Sequence, residues 1–112
     1  MANKITYTPR FAKDVKPLLK KFKTFPETLI LLEKDLLKNP RMGDAYGKNL
    51  YKIRIGDESK GKGKSGGFRV ITYVLDESTE STHIYMITIF DKSEESTMKK
   101  RDALKLVNDC GL

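Results

Sequence analysis

The sequence predicts an α+β domain in the order β-α-α-β-β-β, followed by a C-terminal helix. Three observations lead there. Apolar residues recur at helical spacing through residues 9–38. Three runs rich in β-branched and aromatic residues alternate apolar and polar positions between residues 49 and 90. A segment of lysines, glycines and serines separates the first of these runs from the second. Helices gathered ahead of strands, rather than alternating with them, imply a twisted antiparallel sheet with the two N-terminal helices on one face. A chain of 112 residues suits a single domain, 1–112, with one modest core.

Lys4-Ile5-Thr6-Tyr7-Thr8 alternates as a short strand does. Thr8-Pro9 then marks a helix start, with Thr8 as cap and Pro9 at the first helical position, where its missing N–H costs nothing. Phe11, Val15, Leu18, Leu19 and Phe22 form the apolar face, and Lys13, Lys16, Lys20 and Lys21 the other. Pro17 interrupts this pattern; inside a helix it costs about 3 kcal/mol or more. The expectation is a kink or restart there, with Asp14 as a cap for the second piece. Thr24 and Glu27 have capping-box spacing. The second helix runs to about Lys38 on a stripe of Leu29, Leu32, Leu36 and Leu37, widened by Ile30 and Leu31. Asn39-Pro40 ends it.

Arg41 to Lys48 reads as a connecting loop. The strand from Asn49 to Gly56 sends Tyr51, Ile53 and Ile55 to one face and Leu50, Lys52 and Arg54 to the other. The strand from Phe68 to Leu75 divides Phe68, Val70, Thr72 and Val74 from Arg69, Ile71 and Tyr73. Strict alternation in the last strand, His83 to Phe90, groups Tyr85, Ile87 and Ile89 against Ile84, Met86, Thr88 and Phe90. Met98, Leu104 and Val107 suggest a final helix closed by Gly111.

Lys and Arg number 22 against 15 acidic residues, a formal charge of +7. That balance suits nucleic acid, an anionic surface or an acidic partner. No apolar run approaches the roughly 20 residues that span a bilayer, and the opening residues lack a secretion-signal core. One cysteine, Cys110, excludes an internal disulfide and fits a reducing, cytoplasmic setting. With a single histidine, His83, beside that lone cysteine, a structural zinc site is not expected. No cofactor is expected.

The segment Ser59-Lys60-Gly61-Lys62-Gly63-Lys64-Ser65-Gly66-Gly67 places three positive charges on a permissive backbone. Phosphates are the simplest partner for it; a solvated loop is the plain alternative. Packing the apolar sheet face on the helices brings Lys52, Arg54 and Arg69 together on the opposite, open face. Clustered like charges destabilise a fold, so the set suggests an anionic ligand. An open face that is merely solvated is the alternative.

The run Leu50-Tyr51-Lys52-Ile53-Arg54, the Lys/Gly segment, Ser65-Gly66-Gly67-Phe68-Arg69-Val70-Ile71 and Ile87-Thr88-Ile89-Phe90-Asp91-Lys92-Ser93-Glu94 resemble the RelE/ParE superfamily of bacterial type II toxins. Within it they are most similar to the HigB-like branch of RelE toxins. Thr8-Pro9-Arg10-Phe11 and Asn39-Pro40-Arg41-Met42-Gly43-Asp44 fit the same pattern, so the resemblance spans roughly residues 4 to 107. It implies a toxin that enters the ribosomal A site and cleaves mRNA without a metal. The attacking group is the RNA's own 2′-OH, and the ends left are a 2′,3′-cyclic phosphate and a 5′-OH. It also implies a cognate antitoxin of helix-turn-helix type, through which alone the toxin meets operator DNA.

Such a reaction needs a base for the 2′-OH, cations for the charge growing on phosphorus, and an acid for the leaving 5′-oxygen. A lysine crowded by cations gives up its proton more readily, and arginine holds phosphate oxygens with two donors. By resemblance, Arg69 takes the transition-state charge, Lys52 and Arg54 act as base or position the phosphate, and Lys92 contacts phosphate. Lys60, Lys62 and Lys64 grip ribosomal RNA, with Tyr73 as a further RNA contact. The family's tyrosine after the last strand has no counterpart in Glu94-Glu95-Ser96-Thr97-Met98, and Ser93 stands where a second arginine is usual. The acid is therefore open, with Tyr73 and Tyr85 as stand-ins. His83 is expected to be structural. Asp91 either orients Lys92 or begins a turn. The superfamily also contains ParE-like inhibitors of DNA gyrase. That activity, or nucleic-acid binding without catalysis by a toxin relic, is the competing expectation.

Overall fold

The computed structural model describes residues 3–56 and 67–112; Lys60, Lys62 and Lys64 lie outside the described residues. Its elements are β1 (Lys4–Tyr7), α1 (Pro9–Lys21), α2 (Phe25–Lys38), β2 (Asp44–Gly47), β3 (Leu50–Ile55), β4 (Phe68–Asp76), β5 (Thr82–Asp91), a 3-10 turn (Lys92–Thr97) and α3 (Lys100–Asp109). The strands form one sheet in the order β1-β5-β4-β3-β2. β1 lies parallel to β5, whereas β2, β3, β4 and β5 pair antiparallel in turn. The fold is thus α+β, with a mixed sheet in place of the wholly antiparallel one expected.

Two strands account for the difference. β1 leads into the helical pair and takes the edge beside the last strand, so it runs with β5 rather than against it. β2 lies within the segment expected to be a loop. It closes a short hairpin onto β3 through Asn49, whose φ of 62° is the left-handed turn conformation that asparagine tolerates.

α1 forms as its Thr8 cap predicts, whereas the other two expected caps do not form. Thr8 accepts a hydrogen bond from the Phe11 amide at 3.2 Å and donates to the Met86 carbonyl at 2.8 Å. One buried hydroxyl therefore starts α1 and pins it to β5. α1 runs unbroken through Pro17, which corrects the expected restart. Pro17 and Lys13 are both exposed, so the carbonyl that loses its donor sits on the outer side of the helix, where it can tilt toward water. Asp14 caps nothing: its carboxylate accepts from Arg10 Nε at 2.7 Å and Thr88 Oγ1 at 2.6 Å. Thr24 makes no side-chain cap for α2, so the capping box does not form. The Asn39-Pro40 stop holds as read.

The sheet is covered on both faces. Phe11, Val15, Phe25, Leu29, Leu32 and Leu36 of the helices pack on Ile53, Phe68, Val70 and Val74. Behind the sheet, Ala103 and Val107 of α3 pack on Leu50, Ile71 and Ile87. Of the expected α3 stripe, Val107 is buried, while Leu104 faces outward and Ala103 takes the inner position. β4 is the central strand and is apolar on both sides, which explains its nearly continuous burial.

One irregularity redirects the last strand. Ile71 pairs with Thr88 and Thr72 with Met86, so Ile87 is an extra residue opposite β4. Such a bulge resets the alternation. Ile89 joins Ile84 and Met86 on the helix-pair side, and Phe90 joins Tyr85 and Ile87 on the α3 side. The strictly alternating grouping expected from sequence is corrected at Ile89 and Phe90, while Ile87 and Thr88 keep the faces expected of them.

Candidate nucleic-acid interface

The three basic strand residues fall where the hairpin register puts them. Arg54 pairs with Arg69, which in turn pairs with Phe90; Lys52 pairs with Ile71 two residues along the ladder, on the same face. Lys92 follows directly after β5, and its amide donates to the Gly67 carbonyl at 3.0 Å. Lys52, Arg54, Arg69 and Lys92 therefore gather toward one end of the sheet. Gly67 is required there by packing: a Cβ would collide with the Ile55 carbonyl oxygen and crowd the Gly56 Cα.

Their exposure differs sharply. Arg54 keeps 59 % of its side chain in solvent and comes within 4.0 Å of the still more open Asp44. Lys92 is exposed and Lys52 half-buried. Arg69 is 3 % exposed, and its Nη1 donates to the Phe68 carbonyl at 3.2 Å. The expectation of an open sheet face is therefore corrected. Arg69 lies on the central strand, flanked by Arg54 and Phe90, on a face that α3 partly covers. Two like charges directly opposite one another repel, and that repulsion favours an anion arriving at the exposed guanidinium of Arg54.

β2 completes this end of the sheet. Met42, Gly43, Asp44, Lys52 and Arg54 border a shallow depression of about 380 Å³. Gly43 has φ +98°, and a Cβ there would meet the Lys52 carbonyl oxygen at 2.7 Å. Glycine lets the chain press against β3 beside the two cations.

The aromatic candidates stand elsewhere. Tyr73 is four residues beyond Arg69 on β4, about 13 Å at strand rise, and pairs with Tyr85. Their rings lie 6.5 Å apart and pack beside α3. Neither is placed to protonate a leaving oxygen held at Arg54 or Lys92. His83 is fixed at the far end of β5. It stacks on Tyr85 at 4.0 Å, with Nε2 2.6 Å from Thr6 Oγ1 and Nδ1 3.2 Å from Glu77. Hydrogen bonds from Lys4 and then His83 hold the Glu77 carboxyl below its usual range, and one from Arg41 does the same for Asp76. These groups order the sheet end remote from the cations. Asp91 Oδ1 accepts from the Ser93 amide at 2.9 Å, so it starts the 3-10 turn that carries Lys92.

No protein-family model matches the chain. Among the described residues, no helix is long and apolar enough to cross a membrane. One feature escaped the sequence reading: a cleft of about 480 Å³ between the outer side of α1 and the segment from Ile89 to Glu94. The available signal was Pro17 with an exposed lysine four residues away on either side.

Proposed function

We propose that this protein is a HigB-like toxin of a type II toxin–antitoxin module, a ribosome-dependent endoribonuclease acting on mRNA. The observation that carries this reading is the cross-strand placement of Arg54 beside Arg69, with Lys92 at the same sheet end. Arg54 and Lys92 reach solvent and take the non-bridging oxygens of the scissile phosphate. Arg54 offers a two-pronged contact and Lys92 a point charge. Lys52 accepts the proton of the 2′-OH as that oxygen attacks phosphorus and the bond to the 5′-oxygen breaks. The products are a 2′,3′-cyclic phosphate and a 5′-OH. Arg69 adds a fixed positive charge beneath the site, where its low-dielectric surroundings strengthen its attraction for the developing negative charge. Among the described residues no group stands in place to act as the acid; solvent or a ribosomal group protonates the leaving oxygen.

Induction in cells tests this. Growth arrest with codon-phased mRNA ends is the expected result, lost in an Arg54→Ala/Lys92→Ala variant and relieved by a co-expressed antitoxin. Arrest accompanied by supercoiling defects and intact mRNA supports the gyrase-inhibitor reading instead. Absence of arrest with retained RNA binding supports a noncatalytic module.

A further inference from the structure

We infer that the cleft between α1 and the end of β5 seats one nucleotide, and that it favours bases bearing an exocyclic amino group. The inference rests on the RNA-directed reading above, and its ligand is one nucleotide unit, whether within an mRNA or free.

The construction of the cleft follows from helix geometry. Residues four apart share a ridge. Lys13, Pro17 and Lys21 form one ridge along the cleft, and Asp14, Leu18 and Phe22 form the next. Leu18 and Phe22 are only partly buried despite packing on the core, so the second ridge offers an apolar wall for the flat face of a base. Lys21 Nζ lies 5.4 Å from the Phe22 ring centroid, which places a cation beside that wall for a phosphate. Lys13, two turns away at about 12 Å, supplies a cation at the other end. The volume is within the range of small-ligand sites.

The polar groups of the cleft are chiefly acceptors. Pro17 has no N–H, so the Lys13 carbonyl lacks its helical donor. Asp14 contributes a carboxylate anchored through one oxygen by Arg10 and the buried Thr88. Asp91 and Ser93 face them from the strand end. Carboxylates and carbonyls accept only. Adenine, cytosine and guanine carry amino donors, whereas uracil presents carbonyl oxygens in their place. Three carboxylates, those of Asp14, Asp91 and Glu94, border a cleft holding two lysines. A simple polyphosphate is therefore a poorer match than a base with a single phosphate.

The test uses the isotope-labelled 112-residue chain titrated with AMP, CMP, GMP and UMP at low salt, read by backbone amide shifts. Shifts are expected to concentrate at residues 13–22 and 89–94, with UMP at least fivefold weaker than the tightest of the other three. Lys13→Ala/Lys21→Ala, at two exposed positions, should weaken that nucleotide at least fivefold while leaving the amide spectrum otherwise native. Equal binding of all four, shifts scattered over other lysines, or undiminished binding by the double variant would overturn the inference. Codon-phased cleavage by a protein that fails this titration removes the cleft alone. Base-selective binding by a protein that never cleaves mRNA removes the nuclease reading and keeps the cleft.

Discussion

Arg54 and Arg69 sit directly opposite one another on β3 and β4, one largely in solvent and the other buried. The same charge on paired positions therefore has two different consequences. The exposed guanidinium is free to meet an anion at little structural cost, whereas the buried one is part of the fold.

Alanine at these two positions should separate the roles. Arg54→Ala should change unfolding free energy by no more than about 0.5 kcal/mol, as for other surface positions, yet abolish growth arrest. Arg69→Ala should cost about 1–3 kcal/mol, because it removes a buried side chain with its hydrogen bond to the Phe68 carbonyl and opens space under β3 and β5. Urea unfolding of both variants checks this. Equal stability losses would contradict the assignment.

Gly67→Ala should be more damaging than any nearby surface change. The added methyl has the Ile55 carbonyl oxygen and the Gly56 backbone in its way, and neither is the end of a side chain that can swing aside. The β3–β4 entrance must spread, and the Lys92 amide bond to the Gly67 carbonyl spreads with it. Lower thermal stability together with weakened toxicity is expected; a variant matching the parent in both would show that this entrance adapts freely.

Thr88 is 1 % exposed and donates to Asp14 across the α1–β5 boundary, just after the Ile87 bulge. Thr88→Val removes the donor while keeping the shape, at a cost of about 1–3 kcal/mol, and Thr88→Ser should recover most of it. Chemical unfolding of the pair measures the hydroxyl's share. A Val variant as stable as the parent beside a weakened Ser variant would assign the effect to the methyl group.

Burial, followed by a 2.5 Å hydrogen bond to Glu33, pushes the Tyr7 phenol above its ordinary range. The folded chain thus holds a proton that the unfolded chain releases near pH 10. Stability is fully present below that value and falls as pH rises above it. Tyr7→Phe should flatten the alkaline limb of a stability–pH curve between roughly pH 9 and 11. An unchanged slope would locate the alkaline loss in other groups.

Local chemistry in the chain was enough to place α1 from Thr8-Pro9, the end of α2 from Asn39-Pro40, and the three long strands from their alternation. It also put Lys52, Arg54 and Arg69 on a common face, since a period of two and a hairpin connection leave no other choice. Those features depend on neighbours within a few residues. Tertiary structure decided the rest. Whether β1 lies parallel to β5, whether Asp44–Gly47 finds β3, and whether α3 covers Ile71 are contests between distant surfaces, which no local pattern encodes. The bulge at Ile87 shifts alternation by one residue in a run, Tyr85 to Phe90, whose side chains suit either face. Arginine carries the same charge at residue 54 and at residue 69; only the elements packed around each determine which of the two meets water.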